Sequence, residues 1–147
     1  MQTLNVARSR AFLVALATTL ALAACGKKDQ TSTSATTASA VQVADVDLGR
    51  SIGADKKITD KTDTFSPKDQ VYASVHTTGS SSGAKLTARW TFQNGTVVNE
   101  SSESIAPTGD AYTEFHVAKA SGWPAGKYTL HVLLDSAEVK TADFTVK

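Results

Sequence analysis

A chain with a single cysteine cannot staple itself, and Cys25 is the only one here. Stability must come from packed apolar side chains, and paired-thiol redox chemistry is excluded. An excess of one charge is missing too. Two of the 15 Lys+Arg lie in residues 1–24, leaving 13 against 14 Asp+Glu in the remainder. That balance, with no basic run and no interleaving of basic and aromatic residues, excludes nucleic acid as a partner. The longest apolar stretch, residues 11–24, counts 14 residues, whereas a spanning helix needs roughly 20. The three histidines, His76, His116 and His131, show no His-x-His or cysteine-paired spacing. No metal site and no cofactor are expected.

What is present begins with Arg8 and Arg10, followed by an Ala-, Leu- and Thr-rich stretch that ends in Leu22-Ala23-Ala24-Cys25. A basic start, an apolar middle and small residues form the order of a secretory signal peptide. The last four residues resemble the cleavage site of bacterial lipoproteins. That resemblance implies cleavage between Ala24 and Cys25. It also implies acylation of Cys25 by a diacylglycerol thioether and an N-acyl chain. Several acyl chains hold a protein on a membrane where one is marginal. Many inner-membrane lipoproteins carry Asp where Gly26 stands, so the resemblance implies the outer membrane, facing the periplasm. Acylation would leave no thiol for nucleophilic chemistry.

Residues 25–42 are read as a tether. Lys27, Lys28 and Asp29 are followed by Thr, Ser and Ala up to Ala40. No aromatic or large apolar side chain is available there to offset the entropy of ordering, so disorder is expected. Residues 43–147 suffice for one domain with its own core.

From Val43 onward helical periodicity is absent, and β-branched and aromatic residues alternate with polar ones. That pattern predicts short strands. The first covers 43–52. A loop with Lys56, Lys57, Asp60, Lys61 and Asp63 follows, ending in a turn at Phe65-Ser66-Pro67-Lys68-Asp69. Val71, Ala73 and Val75 face inward on a second strand, 70–77, and 78–83 is a flexible loop. A third strand, 84–93, lines up Leu86, Ala88, Trp90 and Phe92. Asn94-Gly95 predicts a tight hairpin with positive φ at both residues. The polar fourth strand, 96–105, is expected at a sheet edge. Thr113, Phe115 and Val117 mark a fifth strand, and Tyr128, Leu130, Val132 and Leu134 a sixth. Asp135-Ser136 turns into a seventh, with Ala142, Phe144 and Val146 inward. The fold class is all-β, a sandwich of two antiparallel sheets with about seven strands.

Trp90 on the third strand and Gly126-Lys127-Tyr128-Thr129-Leu130 resemble immunoglobulin-like domains. There a core Trp occupies that strand, and a Gly-x-Tyr precedes a cysteine. The resemblance implies a tyrosine corner at Tyr128 and an apolar pair, Val75 and Leu130, in place of the disulfide. The stretch 65–146 is also similar to small proteobacterial lipoproteins, a likeness that brings no activity with it.

No catalytic residue is assigned. Gly79-Ser80-Ser81-Ser82-Gly83 fits a Gly-x-Ser-x-Gly pattern, but no helix follows to build a nucleophile elbow. The histidines alternate out of phase with the core. Asp45, Asp47, Glu100 and Glu103 read as surface charges. Trp123 has two readings. It plugs the sandwich end, the expected role, or it contacts a partner. The functional expectation is a non-enzymatic envelope module that binds an envelope protein or polysaccharide, or spaces other components. An envelope hydrolase with an unrecognised site is the alternative.

Overall fold

The computed structural model describes residues 40–147. Ala24, Cys25 and most of the stretch read as a tether lie outside them. Ala40 forms a parallel bridge with Ser80, and Gln42 pairs with Thr78.

Nine strands follow in order: β1 (Gln42–Ile52), β2 (Ile58–Lys61), β3 (Thr64–Phe65), β4 (Val71–Thr78), β5 (Ala84–Phe92), β6 (Val97–Ile105), β7 (Ala111–Val117), β8 (Gly126–Leu134) and β9 (Ala137–Val146). They form two sheets. One has four strands in the order β2-β1-β4-β7, and the other has five in the order β3-β9-β8-β5-β6. All pairs are antiparallel except β3 with β9.

The strands form where side chains alternate, because period-2 patterning gives each sheet one apolar face. Val71, Ala73 and Val75 of β4 are completely buried, as are Leu86, Ala88 and Trp90 of β5 and Leu130 and Val132 of β8. Each buried Val or Leu contributes roughly 1.5–3 kcal/mol. Val75 and Leu130 lie on opposite sheets of one core, as the resemblance implied. Trp90 packs edge-on to Phe144, with ring centroids 5.9 Å apart. Its buried indole N–H has no hydrogen-bond partner, so it contributes area rather than a polar contact.

Three expectations are corrected. The segment after β1 is not a loop. It folds back as β2 and then β3, giving nine strands rather than about seven. Ile58 carries that pairing opposite Ile52, and a single apolar residue among charges was too weak a periodic signal. The Asn94-Gly95 turn is not a two-residue type. Only Gly95 has positive φ, at 81°. Its N–H donates to the Phe92 carbonyl at 2.7 Å, and Phe92 N–H donates to the Thr96 carbonyl at 2.9 Å. This is the three-residue hairpin with a left-handed glycine. Finally, the 79–83 segment is tied down. Ser80 bridges Thr108 as well as Ala40, and Ser81 N–H donates to the Pro107 carbonyl at 3.0 Å.

Asp135 and Ser136, by contrast, do form the tight turn, both with positive φ (49° and 75°). Asp135 offsets the strain by accepting from the Lys85 amide through its carboxylate at 2.7 Å.

Candidate functional site

One end of the sandwich is closed by residues from four segments. Trp123 is 3% exposed. Its indole N–H donates to the Asp69 carbonyl at 3.0 Å, and its backbone N–H donates to the Pro67 carbonyl at 2.7 Å. The ring stands edge-on to Tyr128 (5.3 Å) and Phe144 (6.3 Å). Trp123 therefore sits as a plug and offers a partner almost no surface. The Tyr128 hydroxyl donates to the Pro124 carbonyl at 2.7 Å, which is the tyrosine corner. Burial raises the Tyr128 pKa. Gly126 precedes it because a Cβ there would come within 2.7 Å of the Phe92 ring.

Asp69 locks the turn beneath the plug. Its carboxylate accepts from the Ser66 amide at 2.8 Å and from Arg50 Nε at 3.0 Å. The Ser66 amide, then Arg50, holds the Asp69 pKa below the usual carboxylate range. Arg50 also donates to the Thr64 carbonyl at 2.6 Å and lies over the Phe65 ring. No local pattern signals this pair, because 19 residues separate its members.

The outer face of the five-stranded sheet carries a chain of groups with catalytic form. Glu138 Oε2 lies 2.8 Å from His131 Nδ1, and His131 Nε2 lies 3.1 Å from Thr91 Oγ1. Arg89 is the register neighbour of His131 and pairs with Glu100 at 2.5 Å. These side chains border an open groove of about 290 Å³. A carboxylate–imidazole–hydroxyl order resembles the relay that activates a nucleophile. Here Thr91 is 9% exposed, and its hydroxyl donates to the Thr129 carbonyl at 3.3 Å. Acyl transfer also needs donors aimed at an oxyanion, and the backbone around Thr91 is spent on pairing with both neighbouring strands. The three residues instead cross-brace β5, β8 and β9. Sequence reading missed them because a bulge between Val132 and Leu133 brings Glu138 to the His131 face.

The other singled-out residues stay apart. His116 sits on the outer face of the four-stranded sheet beside Glu114 (3.2 Å), away from His131 on the other sheet. His76 stacks on Tyr112 at 4.6 Å and lies 3.7 Å from Asp110. Among the described residues, no three His, Cys, Asp or Glu side chains converge as a metal site. The Ser81 hydroxyl accepts from the Gly83 amide at 3.1 Å. Asp47 pairs with Lys61, which raises the Lys61 pKa.

Comparison with known proteins agrees with this architecture. No family model matches the chain, and no curated protein matches it. Among solved structures, an immunoglobulin-like protein from Pseudomonas aeruginosa superposes with a TM-score of 0.52 at 11% identity. The match covers 76% of this chain and 99% of that one. The C-terminal domain of wzt gives 0.49 at 8% identity, covering 73% of each chain. A CARDB domain from Pyrococcus furiosus, solved with di-metal ions, gives 0.43 at 15% identity, covering 72% of this chain and 90% of that one.

Proposed function

With the fold established as an immunoglobulin-like β-sandwich, we propose that the chain is a lipid-anchored protein of the bacterial envelope. Its sandwich serves as a non-enzymatic binding or structural accessory module. The carrying observation is Leu22-Ala23-Ala24-Cys25 behind a basic and apolar leader, ahead of the sandwich domain. Cleavage before Cys25 and its acylation would attach the domain to the outer membrane, facing the periplasm. The partner class is an envelope protein or a polysaccharide. The P. aeruginosa neighbour, matched over nearly its whole length, supports the sandwich architecture of the module.

The test is detergent-phase partitioning of the full chain in its native host. The wild-type chain is expected in the detergent phase and Cys25→Ser in the aqueous phase. An unchanged distribution in the mutant overturns the anchor. The alternative is an envelope hydrolase with an unrecognised site, and covalent labelling of the chain by a fluorophosphonate probe would support it.

A further inference from the structure

The two ends of the sandwich carry opposite charge. The chain enters at one end, where Gln42 pairs with Thr78 and Ala40 bridges Ser80. Residues 79–83, 106–110 and 135–136 connect strands there, and their charged side chains are Asp110 and Asp135. The opposite end, closed by Trp123, holds residues 66–70, 93–96 and 118–127. These carry Lys68, Lys119 and Lys127 against one acid, Asp69, which Arg50 neutralises at 3.0 Å. Among the described residues, none of the three lysines has an ion-pair partner. Asp63 and Asp143 line a groove with Lys127 without pairing with it. Backbone bonds gather the cations around the plug. The Trp123 N–H donates to the Pro67 carbonyl, beside Lys68, and the Gly122 N–H donates to the Lys119 carbonyl at 2.9 Å. Lys68 and Lys127 are exposed and Lys119 is half-buried. At about 3.3 Å per residue, the eight-residue β4 sets the two ends roughly 26 Å apart. Salt screens charges beyond about 8 Å at physiological ionic strength, so neither end cancels the field of the other.

We propose that the basic rim around Trp123 binds an anionic polysaccharide, one that bears carboxylates along its length. Charge complementarity sets the sign of the partner. A protein partner needs an apolar anchor at the centre of its interface, and Trp123, the largest side chain at this end, is 3% exposed. Positive charge without an apolar anchor suits a hydrated polymer. Membrane headgroups are the other source of negative charge. An anchor at Cys25 joins the sandwich at the entry end, where Asp110 and Asp135 repel such headgroups and the basic rim is farthest from them. The assignment rests on the envelope reading for where the polymer is met, and it selects the polysaccharide within that partner class.

The test is affinity electrophoresis of the full chain in nonionic detergent, through gels that contain polygalacturonate, with dextran as the neutral control. Retardation by polygalacturonate alone is expected, and it should fall as salt is raised. Lys68→Gln, Lys119→Gln and Lys127→Gln combined are expected to weaken binding about tenfold. Lys57→Gln, Lys85→Gln and Lys140→Gln combined remove the same charge elsewhere and should bind as wild type does. Lys68→Gln alone changes one exposed turn residue, and a measurable loss there keeps the test valid if the triple variant does not fold. Three results overturn the proposal: no retardation of the wild-type chain by polygalacturonate, equal retardation by dextran, or equal loss in the two triple variants. Binding to phosphatidylglycerol vesicles without binding to polygalacturonate also overturns it, in favour of a membrane surface. Polymer binding is read without a membrane, so its failure is distinct from a failure of Cys25→Ser to change partitioning.

Discussion

The closed side of the sandwich ends in strands of four and two residues, the open side in strands of nine and seven, and the two sides do different work. On the closed side, Arg50 links β1 to the Thr64 carbonyl and the Asp69 carboxylate, and Trp123 caps the adjoining end. These bonds tie β1, β3 and the turn before β4 together. On the open side, β6 and β7 present long edges, with Lys56, Glu103, Glu114 and His116 around a groove of about 340 Å³. The contrast is between a side tied by side-chain hydrogen bonds and a side that ends in two long strands.

Trp123→Ala should break the closed side hardest. It removes a buried indole and its bond to the Asp69 carbonyl, at a cost of about 3–5 kcal/mol. A urea midpoint equal to wild type would show that the plug is dispensable.

Asp69→Asn sharpens the same comparison through pH. Asp69 has a lowered pKa in the folded state. Its ionised form therefore stabilises the fold fully above the ordinary carboxylate pKa, and this contribution is lost as pH falls through the depressed value. The variant should be less stable at neutral pH and lose less stability than wild type on acidification. Parallel stability–pH curves for the two proteins would remove Asp69 from the lock.

The smallest effect is expected on the open side. Ser104→Lys places a charge on an exposed edge position, and monomer stability should change by no more than about 0.5 kcal/mol. A large loss on thermal melting would mean that β6 is packed rather than free.

Much of this fold was legible because the strands keep strict alternation. Leu86, Ala88 and Trp90, or Tyr128, Leu130 and Val132, each announce a buried face without help from elsewhere. Gly126-Lys127-Tyr128 carried the tyrosine corner because its contact is local, four residues from Pro124. β2 and β3 were illegible because short edge strands bury little and show almost no period. Trp123 is expected as the plug with a partner contact as the other reading, since an aromatic in a loop looks the same whether it faces solvent or the Pro67 and Asp69 carbonyls.

The sequence by itself determined a single-cysteine, all-β chain, with its core positions and the polar character of β6, because alternation and composition are local properties. Only the tertiary structure decided that Arg50 meets Asp69, that Glu138 meets His131 and Thr91, and that one lateral side closes while the other stays open. Those outcomes depend on strand order and on bulges. A bulge of one residue reassigns which side chains share a face, and nothing in a run of residues announces which distant strand will lie beside it.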